Sequence, residues 1–182
     1  MDHLAGRLAS DLDRAFPDVV RAHQDAVYSI ALRLTGRPAD AEDAAQDAFV
    51  RAYRALQGWD ARRRADVALR PWLARITLNV CRNRARAAGR RPVTAPLDGR
   101  ADPPAPGDGS TGALRAELAA ELAGALRRLP EPQRRAVVLH HAGGLTYAEV
   151  AGALDRPEGT VKADVHRALK TLRSLLDRPE DE

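Results

Sequence analysis

The sequence of 182 residues has little of what marks secreted or membrane proteins. It contains one cysteine, Cys81, so no disulfide can form within the chain, and we expect a reducing compartment. No apolar run approaches the roughly 20 residues that span a bilayer. The N-terminus also lacks the basic segment and apolar core of a secretory signal. The sequence therefore predicts a soluble, cytoplasmic protein without membrane insertion.

Patterns typical of catalytic sites are missing as well. The chain has no glycine-rich phosphate loop, no nucleophile paired with a base and no carboxylate pair placed for acid–base chemistry. The adjacent His140 and His141 diverge by about 100° in a helix, so they do not bind one metal ion without further ligands. We therefore expect no enzymatic activity, no metal and no cofactor.

Alanine, leucine and arginine dominate the chain instead. Apolar residues make up 45% and aromatic residues 4%, and β-branched residues are few, which favours helices over sheets. The net charge is +4, carried by 27 arginines and two lysines against 25 acids. Residues 61–91 hold ten arginines and one acid, whereas residues 38–50 hold four acids and no base. The sequence predicts an all-α protein whose acidic and basic segments meet two different surfaces.

A segment rich in proline and glycine divides the chain. Residues 90–112 contain five prolines and four glycines and hardly any large apolar residue, which is typical of a flexible linker. We expect two small helical domains joined by this linker. The predicted bounds are an extension over 1–14, a first domain over 15–90, a linker over 91–113 and a second domain over 114–178.

The first domain has the periodicity of three amphipathic helices. Apolar residues recur at spacings of three and four over residues 20–34 and again over 41–56, separated by Gly36 and Pro38. A third helix is expected to begin at Pro71 and to bury Trp72, Leu73, Ile76 and Val80. Another face of that helix carries a stripe at spacings of four, three, four and four: Arg75, Asn79, Arg82, Arg86 and Arg90.

The second domain ends in the pattern of a helix-turn-helix. A leucine stripe predicts its first helix, through Leu114, Leu118, Leu122, Leu126 and Leu129. A short helix begins near Pro132, and a capping box of Thr146 and Glu149 starts the next one. A turn then leads to a basic helix over residues 158–176, with a buried seam of Val161, Val165, Ala168, Leu172 and Leu175. Such a second helix enters the major groove of DNA.

The basic helix places its polar residues away from the buried seam. At about 100° per residue, Ala163, His166, Arg167 and Lys170 face outward, with Thr160 and Lys162 on the flanks. Asp164 falls beside the seam, where it either pairs with a nearby arginine or lysine or accepts a hydrogen bond from a cytosine amino group. A solvated helix in an ordinary bundle is the alternative to a DNA-reading helix.

Two blocks of the chain resemble conserved regions of bacterial sigma factors. DAEDAAQDAFVRAYRAL, followed by WLARITLNVCRNRAR, is similar to their second region, and the stretch from LRRLPEPQRR to TVKADVHRALKTLRSLL resembles their C-terminal promoter-reading region. In this order, with a short proline-rich linker, the blocks resemble the extracytoplasmic-function (ECF) group of the sigma-70 family. The resemblance implies a transcription initiation factor that binds core RNA polymerase and directs it to promoters.

The resemblance also implies which residues bind the polymerase. The acidic helix is expected to bind the β′ clamp helices of the core enzyme, and the β flap is the second expected contact. The polar residues expected to face a basic surface of the polymerase are Asp40, Glu42, Asp43, Gln46 and Asp47. Phe49 and Tyr53 belong to the same polymerase-binding set and are expected to support the helix.

Two promoter elements are expected to meet two different surfaces. The loop over 57–69 would hold a base flipped out of the downstream (−10) element, beside a cationic track along the backbone. The residues expected to bind and melt this element are Trp59, Arg62, Arg63, Arg64, Arg70, Arg75, Asn79, Arg82, Asn83 and Arg86. The residues expected to read the upstream (−35) element as duplex are Thr146, Tyr147, Arg156, Pro157, Glu158, Gly159, Thr160, Lys162, Ala163, His166, Arg167 and Lys170.

The chain departs from the family pattern at four positions. Ala163 and Asp164 stand where the family often has serine and arginine, Leu169 stands where it has arginine, and Leu69 stands where it often has an aromatic residue. We interpret these departures as changes in promoter preference.

One other function remains open at the level of sequence. A stand-alone helix-turn-helix regulator, binding an operator as a dimer without polymerase, accounts for residues 114–176 but not for the acidic helix or the arginine stripe. For a sigma factor the expected partners are core RNA polymerase, promoter DNA and an anti-sigma factor that covers the polymerase- and DNA-binding faces.

Overall fold

The computed structural model describes residues 3–88 and 109–177, which form nine helices and confirm the all-α prediction. The helices are α1 (His3–Ser10), α2 (Leu12–Thr35), α3 (Pro38–Gln57), α4 (Ala61–Ala65), α5 (Leu69–Ala88), α6 (Gly109–Arg128), α7 (Glu131–His141), α8 (Tyr147–Leu154) and α9 (Glu158–Leu176). In the part of the chain so described, none of them combines the length and apolar composition that a membrane span requires.

The N-terminal domain is built on the three long helices α2, α3 and α5. Helix α3 faces the core with a row of fully buried alanines: Ala41, Ala44, Ala48 and Ala52. Their small side chains let the helix axes approach closely, because interaxial distance depends on the side chains at the contact. Helix α2 ends at Gly36, whose φ of +77° is left-handed and whose N–H donates to the Leu32 carbonyl over 2.8 Å.

Two short helices complete this domain, and the sequence pattern predicted neither. Ala5 and Leu8 of α1 are buried in the N-terminal core, and Asp11 then caps α2 by accepting a hydrogen bond from the Arg14 N–H over 3.1 Å. Helix α4 lies inside the predicted loop over 57–69, where Asp60 caps it by accepting from the Arg63 N–H over 2.7 Å. The loop prediction is therefore wrong over Ala61–Ala65.

The C-terminal domain comprises α6 to α9. The predicted capping box of α8 is confirmed, since the Thr146 N–H donates to Oε2 of Glu149 over 2.8 Å and the Glu149 N–H donates to Oγ1 of Thr146 over 3.3 Å. The helix predicted from the leucine stripe is present as α6, but the first half of the stripe is not buried. Leu114 and Leu118 are 57% and 55% exposed. Only from residue 122 onward does α6 pack against the C-terminal core.

Most of the predicted linker, residues 91–108, lies outside the described residues, as do Arg90 and residues 178–182. Residues 109–113, the end of that predicted linker, have a helical backbone within α6.

The two domains share one apolar cluster. Ile30 of α2 and Ala74 and Leu78 of α5 are buried among residues of the C-terminal helices. Helix α8 lies against α5, and α7 lies against α2. The side of α5 next to the predicted arginine stripe is therefore covered by the C-terminal domain in this arrangement.

Candidate nucleic-acid interface and acidic surface

The acidic residues of α3 lie along its outer side. Glu42, Asp43 and Gln46 are exposed and Asp40 and Asp47 are half-buried. Five side chains predicted from sequence to share a surface therefore do share one, and this surface is the acidic surface.

Two aromatic residues of α3 anchor that helix to α2 instead of pointing outward. The rings of Phe49 and Tyr53 lie 6.5 and 5.1 Å from the Phe16 ring, edge to face. The Tyr53 hydroxyl donates to Oδ1 of Asp13 over 2.5 Å, and this hydrogen bond to a carboxylate raises the pKa of Tyr53. Both residues thus have the supporting role that the sequence predicts for them.

Helix α2 adds residues to the acidic surface that the sequence prediction missed. Gln24, Asp25 and Tyr28 of α2 line an open groove together with Glu42 and Gln46 of α3. The signal in the sequence is weak, since residues 24, 25 and 28 simply follow the outer edge of an amphipathic helix. Only the packing of α2 against α3 shows that their polar groups extend the acidic surface.

Arg84 links α5 to the acidic surface on α3. Its Nη2 lies 2.6 Å from Oδ2 of Asp43 and its Nη1 lies 2.7 Å from Oδ2 of Asp47. Burial lowers the pKa of Arg84, but hydrogen bonds and charge interactions with the two carboxylates outweigh it and leave the pKa raised. No prediction from sequence assigned a role to Arg84, because it lies off the arginine stripe.

Trp59, in the loop expected to hold a flipped base, packs against Trp72 of α5 and has an arginine over its ring. The rings of Trp59 and Trp72 are 5.0 Å apart and tilted by 50°, and the Arg63 guanidinium lies 4.2 Å from the Trp59 ring centroid. Arg64 differs from its prediction as a free member of the cationic track. Its Nε donates to the Trp59 carbonyl over 3.0 Å and its Nη1 to the Leu8 carbonyl over 3.4 Å. Arg64 therefore ties the loop to α1, leaving Arg62 and Arg63 as the exposed arginines.

The predicted stripe on α5 is present over its described length. Arg75 and Arg86 are exposed, and Asn79 and Arg82 are half-buried. Asn83 is exposed on the same helix.

Arg70, near the start of α5, lies against the C-terminal domain. Gly144 has a left-handed φ of +62°, and a methyl group added there would lie 3.1 Å from Nη2 of Arg70. The two predicted DNA-binding surfaces therefore meet near Arg70.

Helices α8 and α9 form the predicted helix-turn-helix. The turn passes through Asp155, whose φ of 53° is left-handed. The residues of this unit that were expected on DNA and are exposed are Thr146, Pro157, Glu158, Gly159, Lys162, His166, Arg167 and Lys170. Those that are half-buried are Tyr147, Arg156, Thr160 and Ala163.

Two aromatic contacts stiffen this unit. Lys162 lies 5.7 Å from the Tyr147 ring centroid and pairs with Glu158 over 2.8 Å, which raises the pKa of Lys162. The His140 ring stacks on the Tyr147 ring, with 4.3 Å between their centroids. Nδ1 of His140 is also 2.7 Å from the Leu145 carbonyl oxygen. Across residues 3–88 and 109–177, no three His, Cys, Asp or Glu side chains lie together in a way that could hold a metal.

Asp164 is a buried acid on α9. The residue is 4% exposed, and its two oxygens pair with Nη1 of Arg156 over 2.5 Å and Nη2 of Arg167 over 2.7 Å. The pairing with Arg167 confirms one of the two predicted alternatives. The other, a contact with a cytosine amino group, stays a prediction, although both oxygens already accept from arginines and the residue is buried.

Comparison with known proteins identifies both domains. Residues 19–91 match the family model of sigma-70 region 2, and residues 119–172 match that of sigma-70 region 4. The ECF RNA polymerase sigma-E factor of Escherichia coli (strain K12) is 33% identical over 180 residues, which is 93% of this chain and 90% of that protein. The chain is an ECF sigma factor of the sigma-70 family.

Further similarities extend over nearly the whole chain. The ECF RNA polymerase sigma factor SigE of Mycolicibacterium smegmatis is 34% identical over 169 residues, covering 92% of this chain and 64% of that protein. The solved structure of CnrH, in complex with the cytosolic domain of CnrY, superposes with a TM-score of 0.72 at 31% identity, covering 96% of this chain and 95% of that one. As a transcription initiation factor, the sigma factor uses both domains, whereas a stand-alone regulator would leave region 2 unexplained.

Proposed function

We propose that this sigma factor binds the clamp helices of core RNA polymerase through the acidic surface and reads promoters with two separate faces. The observation that carries the proposal is the charge division within region 2. Helix α3 exposes acids, and α5 exposes the arginine stripe on another side of the same small domain. One domain thus offers a surface for a basic protein and a surface for nucleic acid.

The downstream element is assigned to the tryptophan pair and the stripe. A base that leaves the stack needs an aromatic or planar cationic partner, and Trp59 with Arg63 supplies both. Arg62, Arg75, Arg82 and Arg86 offer cations for the backbone of the separated strand.

The upstream element is assigned to α9. Its exposed His166, Arg167 and Lys170 lie on the side opposite the buried Val161 and Val165, where a helix in the major groove presents its reading residues. Because an arginine can donate two hydrogen bonds to guanine, Arg167 is the proposed base-reading residue and Lys170 a phosphate contact.

The shared core of the two domains supports a further part of the proposal. Ala74 and Leu78 of α5 are covered by region 4, and Arg70 lies against Gly144. Two faces that touch each other do not read two separated elements of one duplex. The free chain is therefore proposed to bind promoters feebly, and the polymerase to hold the two domains at the distance that the promoter requires.

The remaining parts of the proposal concern partners and chemistry. The chain lends sequence preference to the polymerase and catalyses nothing itself, acting in the cytoplasm where the polymerase is. An anti-sigma factor is proposed as a partner, supported by the complex of CnrH with the cytosolic domain of CnrY.

The test is reconstitution with core RNA polymerase lacking any other sigma factor. We expect the chain to join the core enzyme and to start transcripts from a subset of a promoter library, while the chain alone retains almost no duplex from that library. Tight sequence-specific binding by the chain alone, with no effect on the core enzyme, would contradict the proposal and favour a regulator.

A further inference from the structure

Asp164 occupies an unusual place for an acid in a helix that faces DNA. It is held between an arginine of the preceding turn, Arg156, and an arginine one helical turn further on, Arg167. Each carboxylate oxygen takes one guanidinium, Oδ2 that of Arg156 and Oδ1 that of Arg167. The carboxylate is buried, whereas the side chains of Arg156 and Arg167 remain 33% and 55% exposed.

This geometry leaves each arginine only partly used. A guanidinium has five N–H donors in a rigid planar fork, and Arg167 pairs with Asp164 through one terminal nitrogen, Nη2. The outer part of the fork is still available to a guanine edge or a phosphate. Since Asp164 itself is out of reach of DNA, its effect on DNA passes through the two arginines.

We propose that Asp164 is a positioning residue that orients Arg156 and Arg167 before DNA is bound and thereby sets the base preference of α9. The inference rests on the proposed reading of the upstream element by α9. A long side chain already held in one orientation loses less conformational entropy when it binds. It also presents its donors only to a base edge that matches their direction.

The carboxylate also limits binding that does not depend on sequence. Asp164 with its two arginines carries a local charge of +1, against +2 for the arginines alone. Non-specific DNA affinity comes from phosphate neutralisation, so two released arginines would strengthen binding to any duplex and raise its dependence on salt. Asp164 thus lowers the affinity of α9 for any duplex and raises its selectivity for the upstream element.

The experiment selects promoters with holoenzyme reconstituted from core polymerase and the full chain. The library is randomised over the upstream element and otherwise constant. Arg167→Ala first identifies the positions that Arg167 reads. For Asp164→Asn we expect discrimination at those positions to fall about tenfold, within the range for loss of a bidentate base contact. Binding to a fixed non-promoter duplex should strengthen, and its salt dependence should steepen by about 0.9 for each additional phosphate that is neutralised.

Asp155→Asn is the matched control. It makes the same change of charge one residue from Arg156, at an exposed position whose left-handed backbone asparagine also adopts readily. Its selected element should equal that of the wild type. At the positions that Arg167 reads, the double variant Asp164→Asn with Arg167→Ala should discriminate no worse than Arg167→Ala alone, because Arg167 is no longer present to be positioned.

Thermal unfolding of each variant separates positioning from loss of fold. If Asp164→Asn unfolds region 4, the pair Asp164→Leu with Arg156→Leu replaces the buried carboxylate and one of its partners by apolar groups, and proteins often tolerate such an exchange of an ion pair. This folded variant should show the same loss at the positions read by Arg167. Unchanged discrimination in a folded variant lacking Asp164 overturns the inference alone. A wild-type holoenzyme that selects no upstream element overturns both the inference and the proposed function.

Discussion

Arg84 donates a 2.7 Å hydrogen bond from Nη1 to Oδ2 of Asp47, joining the helix proposed to bind DNA to the helix proposed to bind polymerase. The same guanidinium reaches Asp43 through Nη2. Since the partners are 37% to 63% exposed, such pairs add little to stability. Their consequence is that two acids of the acidic surface have an intramolecular cation that competes with a basic partner.

Asp43→Arg should weaken assembly with core polymerase about tenfold or more, because it replaces an attractive charge contact with a repulsive one. Affinity for the core enzyme is measured by fluorescence anisotropy of labelled chain. The variant also places two arginines side by side within the chain, so a loss of folding has to be separated from a loss of binding.

The charge-swapped double variant Asp43→Arg with Arg84→Asp makes that separation. It restores an opposite-charge pair between α3 and α5 but not the acid presented to the polymerase. We expect its thermal stability to match the wild type while its affinity for the core enzyme stays low. Recovery of affinity by the double variant would show that position 43 acts only within the chain.

Arg82→Ala with Arg86→Ala should impair promoter opening more than recruitment. Hydrogen bonds to charged groups are worth roughly 1.5–3 kcal/mol, so losing even one contact to the separated strand lowers the open fraction about tenfold. Permanganate footprints report opening, and mobility shifts of closed complexes report recruitment. Arg51→Ala with Arg54→Ala removes the same charge from exposed positions of α3 and should leave the footprint unchanged. Equal permanganate reactivity in wild type and the α5 variant would refute the assignment.

Leu8→Ala should destabilise the N-terminal domain by about 2–5 kcal/mol, because Leu8 is fully buried and its truncation leaves a cavity. Leu118→Ala makes the same chemical change at a position that is 55% exposed, and its effect should stay within about 0.5 kcal/mol. Urea unfolding followed by circular dichroism gives both values. If Leu8→Ala lowered the free energy of unfolding no more than Leu118→Ala does, α1 would not belong to the core.

Cys81 should react slowly with alkylating reagents while the protein is folded. Burial raises the pKa of its thiol to about 11, so at pH 8 only about one molecule in a thousand carries the reactive thiolate. Mass spectrometry after iodoacetamide treatment should show modification at least about 100-fold slower than in guanidinium chloride. Equally fast alkylation of native protein would show that the packing around Cys81 opens readily.

Much of the fold follows from local pattern. The periodicity of three and four residues locates α2, α3 and α9, because an amphipathic helix has to bury one face whatever it packs against. Pro132 locates α7, and the capping box of Thr146 and Glu149 locates α8. Helix α1 carried the same signal, with Leu4, Ala5 and Leu8 at spacings of one and three, but its eight residues are too few for the pattern to stand out. Helix α4 could not be found in this way, since five residues that are rich in arginine have no periodicity.

The first half of α6 is helical, as the leucine stripe predicts, but Leu114 and Leu118 are not buried. Leu114 and Leu118 continue the helical stripe without interruption, yet they extend beyond the core against which Leu122 and Leu126 pack. A leucine stripe indicates a face that is suited to burial. Whether that face is buried depends on how far the neighbouring helices reach.

In the candidate sites, too, some features belong to a single segment and others depend on how segments pack together. The sequence by itself determined which helices carry acids and arginines and that region 4 ends in a helix-turn-helix, because charge and periodicity are properties of a single segment. Tertiary structure alone decided that Arg64 ties the loop to α1 and that Arg84 meets Asp43 and Asp47. It also decided that Asp164 pairs with Arg156 of the preceding turn in addition to Arg167, and that regions 2 and 4 share a core. These contacts join residues from different segments, and no local pattern specifies which segments pack together.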